Sequence, residues 1–173
     1  MTPMQPRGAF RVSVSKDDLV FSSAHFITYA GHRCEGLHGH NYRARVTVDG
    51  AIDPADRLVF DFLELKRIMR RLCGEIDHLV LLPSRSARIR VVEEGETVRV
   101  AVDGAPRYVF PRRDCALLPV PNTTVEMLAE LLATRLHAEL GALGAGGLTA
   151  IEMEVEESAG QSATYRMDLD RSG

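Results

Sequence analysis

HGHNYRARVTVD, residues 38–49, is the stretch whose reading decides the fold. Taken as one strand, it carries His38, His40, Tyr42, Ala44, Val46 and Val48 at even positions and Asn41, Arg43, Arg45, Thr47 and Asp49 at odd ones. Successive side chains of a strand point to opposite faces, so both imidazoles share the apolar, inward face. Gly39 puts no side chain on the outer face between them. Upstream, LVFSSAHF (19–26) alternates Leu19, Phe21, Ser23 and His25 against Val20, Ser22 and Ala24, which sets His25 among the bulky apolar side chains. An H-x-H pair alone also arises by chance. Three inward histidines on two neighbouring strands are a stronger signal, because neutral imidazole is the usual zinc ligand and three of them leave a fourth position open for water or substrate.

Outward from this pair of strands, Asp61-x-x-Glu64 is a helix-start signature. It opens a helix with Phe62, Leu65, Ile68, Met69 and Leu72 on one side and Lys66, Arg67, Arg70 and Arg71 on the other, with Gly74 as the stop. Thr123-Thr124-Val125-Glu126 reads as a second capping box, before a helix that turns Leu128, Ala129, Leu132, Leu136 and Leu140 inward. The stretch 141–147 connects it to two last strands, 148–157 and 163–169. Between the helices, residues 83–121 alternate around a Glu94-Gly95 turn and are punctuated by prolines, which predicts a β-hairpin insertion with a third short strand. Residues 1–8, with Pro3, Pro6 and Gly8, read as a loose arm. With the insertion set aside the order is ββ, α, α, ββ. That predicts one α+β domain over 1–173, with both helices on one face of an antiparallel sheet.

The chain's 173 residues suffice for a substantial core. A net charge of −3, with no basic block, leaves no electrostatic footprint for nucleic acid. No apolar run reaches the roughly 18 residues needed to span a membrane, and the first residues lack the pattern of a signal peptide. Three widely spaced cysteines, Cys34, Cys73 and Cys115, suit a reducing compartment rather than a disulfide framework. A cytoplasmic enzyme is the expectation.

Further groups could carry chemistry. In IEMEVEE (151–157), Glu152, Glu154 and Glu156 face outward, while the inward register of Ile151, Met153 and Val155 next reaches Glu157. An acid there is either a strand end rising into solvent or a carboxylate placed to accept paired N–H donors from a ligand. Cys34, four residues before His38, is a core thiol or, beside a cation, a base. Asp77-His78 is a surface turn or an imidazole oriented by its neighbour.

FSSAH (21–25), C-E-x-x-H-G-H-N-Y (34–42), FDFLELK (60–66), Asp77-His78, Thr124-x-Glu126 and Glu157 eight residues before Tyr165 together resemble the family of 6-pyruvoyl-tetrahydropterin synthases and 6-carboxytetrahydropterin synthases. The resemblance implies a tunnelling fold, whose sheets join into a barrel in a homo-oligomer, usually a hexamer of two stacked trimers with active sites between subunits. It implies zinc on His25, His38 and His40, proton transfer by Cys34, Asp77 and His78, a pterin ring anchored by Glu157, and Thr124 and Glu126 near the pterin pocket. The interval Cys34-x-x-x-His38 resembles the bacterial 6-carboxytetrahydropterin synthases of the queuosine pathway; animal-type pyruvoyl synthases place two more residues there. Glu35 resembles members that form 6-hydroxymethyl-dihydropterin for folate, so a pyruvoyl synthase or a dual activity is the alternative. A non-catalytic pterin- or metal-binding oligomer is the alternative of another class. The family's D-H-x-x-L-N departs here at Leu82, and the insertion replaces a short connection.

Overall fold

The computed structural model describes residues 10–30 and 33–169; the arm expected over 1–8 lies outside them. In chain order the elements are β1 (Phe10–His25), β2 (Thr28–Tyr29), β3 (Arg33–Cys34), β4 (His38–Gly50), α1 (Phe62–Gly74), β5 (Val80–Pro83), β6 (Ile89–Glu94), β7 (Thr97–Val102), β8 (Ala105–Pro111), a 3-10 turn (Arg112–Asp114), β9 (Cys115–Leu118), α2 (Val125–Ala142), β10 (Leu148–Ser158) and β11 (Gln161–Asp168).

The main sheet runs β11-β10-β4-β1-β5-β9. Its first four strands are antiparallel, as the two expected strand pairs require. β5 lies parallel to β1, and β9 parallel to β5. These two strands were not foreseen, because VLLP and CALL are too short to show alternation. They place Pro83 and Cys115–Leu118, both within the stretch 83–121, in the main sheet. The remainder of that stretch forms a separate antiparallel sheet, β6-β7-β8.

Alternation governs the faces. Tyr42, Ala44, Val46 and Val48 of β4 and Ile151, Met153 and Val155 of β10 are buried with the apolar sides of α1 and α2 in one core. The opposite face is a charge ladder: Arg45 meets Glu154 at 3.4 Å, Arg43 meets Glu156 at 3.5 Å, and Asp49 joins Arg11 and Arg166 at 2.8 and 3.1 Å. Within β1 the apolar parity changes. Val12 and Val14 face the core at even positions, yet Leu19, Phe21, Ser23 and His25 do so at odd ones. The switch is a register shift between Ser15, which pairs with Arg45, and Val20, which pairs with Arg43: five positions along β1 against two along β4.

Asp61 caps α1, accepting from the Leu63 amide at 2.8 Å. The packed stripe starts at Leu65; Phe62, expected inward, is 47% exposed because it sits on the first turn, ahead of the stretch that crosses the sheet. The second capping box does not form. Thr124 is the N-cap of α2 without a side-chain bond, and Thr123 is buried and bonded elsewhere.

Two glycines give a paired test of this packing. A Cβ at Gly50 would lie 2.8 Å from the Gly147 carbonyl oxygen and 3.2 Å from Leu148 Cα, where β4 and the start of β10 converge. At Gly74, inside α1, it would meet nothing within 4 Å. Gly50→Ala should destabilise by roughly 1–3 kcal/mol, as other overpacked sites do, whereas Gly74→Ala should be neutral or stabilise by up to about 1 kcal/mol. Urea unfolding of both variants checks this; equal midpoints would contradict the close approach.

Candidate metal centre and active site

His25, the last residue of β1, is the direct cross-strand partner of His38, the first of β4, and His40 lies opposite Ser23. The three rings gather with centroids 4.7 Å (His25–His38), 4.9 Å (His38–His40) and 5.2 Å (His25–His40) apart. One ligand atom from each lies within 4.8 Å of the others. Side-chain hydrogen bonds orient two of them. His25 Nδ1 meets the Thr123 carbonyl at 2.7 Å, and His38 Nδ1 meets the Gly36 carbonyl at 2.9 Å. A carbonyl only accepts, so each Nδ1 carries the proton and each Nε2 presents its lone pair, the arrangement seen behind metal-bound histidines.

The donor set fits a cation. His25 Nε2 and His40 Nε2 are buried without a hydrogen-bond partner, a costly state for a polar atom that a shared divalent ion would relieve. Burial holds the His25 imidazole below its ordinary value, against the pull of the Thr123 carbonyl, and the neighbouring His38 adds to the lowering. The ring is therefore neutral near pH 7, as a ligand must be. Three histidines in this arrangement could hold a metal ion.

Two carboxylates flank the triad. Glu157 Oε1 lies 3.5 Å from His40 Nε2, and Glu35 Oε2 lies 3.9 Å from His38 Nε2. Glu157 stands at the break in register between Glu156 and Ser158, where β10 and β11 stop pairing regularly; such irregularities re-aim side chains at sites. Beneath the histidines, Tyr42 stacks on Phe21 at 4.8 Å and presents its ring edge-on to His25 and His40. Its hydroxyl is buried without a partner, and burial pushes that phenol far above its usual range.

Cys34 is half-buried in β3, opposite Thr28, with Sγ 3.5 Å from the Glu35 carbonyl. It packs on a second small core of Phe26, Leu82, Ile89, Val98, Val100, Val102 and Cys115. Asp77 and His78 sit elsewhere. Asp77 Oδ1 accepts from the Ser22 amide at 2.7 Å while Oδ2 holds His78 Nδ1 at 2.9 Å. Burial opposes ionisation of Asp77, but the Ser22 amide and His78 outweigh it and hold the carboxyl below its usual range. His78 adopts the left-handed backbone region, φ 58°, pinned by its amide donating to the Ser22 carbonyl at 2.6 Å. Its side chain is 80% exposed. It borders a groove of about 530 Å³ lined also by Ser22, Ala24, Gly39 and Asn41, outward positions of β1 and β4, and by Ser23 and His40.

The structure thus brings His25, His38, His40, Glu35 and Glu157 together, with Cys34 on the adjoining segment. Asp77 and His78 are joined to each other, and His78 borders a groove that His40 also lines. Among the described residues, no hydrogen bond, ion pair or ring contact links His78 to Cys34 or to the triad. Thr124 and Glu126 lie at the start of α2, the glutamate exposed, and neither bonds to the histidines. Thr123 is the residue sequence reasoning missed. Its carbonyl orients His25, and its hydroxyl donates to the Phe26 carbonyl at 3.1 Å. Tyr42 was legible as inward but not as part of the site, and only its shared parity with the histidines could have suggested it.

The family model for 6-pyruvoyl tetrahydropterin synthase matches residues 13–168. A Methanocaldococcus jannaschii protein, named provisionally as a 6-carboxy-5,6,7,8-tetrahydropterin synthase, is 34% identical over 152 residues, 88% of this chain and 92% of the relative. Human 6-pyruvoyl tetrahydrobiopterin synthase is 36% identical over 75 residues, covering 43% of this chain and 52% of its own. Among solved structures, 6-pyruvoyltetrahydropterin synthase from Plasmodium vivax superposes with a TM-score of 0.86 at 30% identity, over 94% of this chain and 100% of that one. A second structure of that protein carries alanine in place of a glutamate described as a catalytic residue. With its strand order, its paired helices and its three convergent histidines, the chain belongs to the 6-pyruvoyl tetrahydropterin synthase family.

Proposed function

We propose that the protein is a zinc-dependent 6-carboxy-5,6,7,8-tetrahydropterin synthase. It would convert 7,8-dihydroneopterin triphosphate to 6-carboxytetrahydropterin, acetaldehyde and triphosphate, in the cytoplasm and as a step toward queuosine. The observation that carries this reading is the convergence of three oriented imidazoles and two carboxylates beside Cys34, in a chain of this family.

His25, His38 and His40 would hold Zn²⁺ through their Nε2 atoms, of which those of His25 and His40 are buried without a hydrogen-bond partner. When bound, the ion supplies Lewis acidity toward the hydroxyls of the substrate side chain. Glu157 would accept paired N–H donors of the pterin ring, and Thr124 and Glu126 would border that ring. Cys34 Sγ would take a proton from the side chain of the substrate. Asp77 occupies Nδ1 of His78, so Nε2 of that ring is the atom left to exchange a proton. Because, among the described residues, no contact links His78 to Cys34 of its own chain, we place Asp77 and His78 with Cys34 of a neighbouring subunit. A homo-oligomer, taken as a hexamer of two trimers, would complete the site.

Glu35 favours a second reading. Its carboxylate stands beside His38, and a glutamate is the residue described as catalytic in the Plasmodium vivax structure. A base at that place would also yield 6-hydroxymethyl-dihydropterin.

Incubation with 7,8-dihydroneopterin triphosphate should release acetaldehyde and a carboxypterin, and Cys34→Ala should abolish this while leaving zinc content unchanged. A 6-pyruvoyl product alone would overturn the assignment, and a wild type that binds pterins without turnover would make the protein a binding oligomer. Elemental analysis should find about one zinc per subunit, lost in His25→Ala, His38→Ala and His40→Ala with the fold retained. Full occupancy in His25→Ala would remove that residue from the ligand set.

A further inference from the structure

The sheet β6-β7-β8 makes several polar contacts with the chain around Cys34 and Glu35. Tyr108 Oη accepts the Leu37 amide at 3.2 Å, and Arg107 Nη2 donates to the Glu35 carbonyl at 2.8 Å. Arg88, at the entry to β6, donates through Nη1 to the Tyr29 carbonyl at 3.1 Å and the Arg33 carbonyl at 3.5 Å. Its Nε and Nη2 are held by Asp103, at 2.9 and 2.6 Å. The contacts to residues 29–37 all reach backbone atoms. They fix the path of the chain without engaging the Cys34 and Glu35 side chains.

The donors are themselves braced. The Tyr108 ring packs 5.2 Å from Phe26 and 5.4 Å from Phe110, and the Arg107 guanidinium lies 5.4 Å over that ring. Phe26 follows His25 directly and is fully buried. At the other end of the segment, the Gly36 carbonyl accepts from His38 Nδ1, and the Glu35 amide donates to the Ile27 carbonyl at 3.0 Å. The segment 34–37 is therefore strung between the inserted sheet and a histidine of the triad, with Cys34 and Glu35 in the span.

We propose that the inserted sheet is a clamp that sets the position of Cys34 and Glu35, with Tyr108 and Arg107 as positioning residues that decide which of the two side chains acts on the substrate. The proposal rests on the reaction assigned above. The two candidate bases are adjacent in sequence, so successive side chains diverge, and a small rotation of the segment exchanges the one that faces the triad. A misplacement of about 1 Å costs on the order of 100-fold in rate at such sites, which makes the clamp a determinant of product as well as of rate.

The test uses Tyr108→Phe, which keeps the ring and removes only the acceptor, and Arg107→Met, which keeps the stem. Arg99→Met serves as control, since Arg99 lies on β7 and pairs with Glu94. Backbone amide exchange is read at Leu37, and turnover of 7,8-dihydroneopterin triphosphate is read as kcat, KM and the ratio of carboxypterin to hydroxymethyl-dihydropterin. Tyr108→Phe should speed Leu37 exchange about tenfold, with core amides and zinc content unchanged. Both clamp variants should lower kcat about tenfold or more at constant KM and shift the product ratio, while Arg99→Met changes neither. Unchanged Leu37 exchange in Tyr108→Phe would overturn the clamp, and an unchanged kcat and ratio despite faster exchange would overturn its role in the reaction. A wild type inert on the substrate would instead sink the reaction assignment and that role with it, with Leu37 exchange still deciding whether the clamp exists.

Discussion

The bulge in β1 is the constraint on which the site depends. Strand side chains alternate strictly, so a β1 that paired regularly from Val12 and Val14 onward would turn its odd positions outward, His25 among them. By advancing five positions from Ser15 to Val20 while β4 advances two, from Arg45 to Arg43, the chain exchanges the parity. Leu19 and Phe21 then enter the core, and His25 arrives on the face of β4 that carries His38 and His40. The cross-strand pairing of His25 with His38 follows from that register, and the H-x-H spacing brings the third ring to the same place. The fixed rear hydrogen bonds, from Thr123 before α2 and from Gly36 before β4, turn two of these rings so that their free nitrogens converge.

The triad gathers with Tyr42, Glu157 and Glu35, whereas His78 borders a groove that runs past the outward positions Ser22, Ala24 and Asn41 to His40, with Gly39 keeping the outer surface between the two histidines of β4 clear. A Cβ at Gly39 would press to 3.2 Å from the Ser23 carbonyl oxygen. Left-handed backbone at His78, held by two contacts to Ser22, is a cost accepted where a side chain must be aimed. Among the described residues its side chain meets only Asp77, so the proposed site completed by a second subunit would give it a partner.

Periodicity made much of this legible from sequence. The inward set of β4, the parity of LVFSSAHF, the helix opened by Asp61 and the inward placing of Glu157 all follow from local pattern, and each is seen in the structure. Four-residue strands such as β5 and β9 carry no period to read, so their membership of the sheet was invisible. Thr123 misled because a Thr-x-x-Glu spacing matches a capping box, whereas burial against His25 and Phe26 claimed both its polar groups. The links from Arg107 and Tyr108 to residues 35 and 37 run to backbone atoms across about 70 positions of chain, and backbone partners leave no trace in side-chain pattern.

The central claim is that three imidazoles, and not Cys34, hold the metal. Zinc K-edge absorption on the purified protein tests it most directly. Three nitrogen scatterers at about 2.0–2.1 Å, with one further light atom and no sulfur, is the predicted first shell. A sulfur contribution at about 2.3 Å would make Cys34 a ligand, contradicting both the ligand set and the role of that thiol in proton transfer.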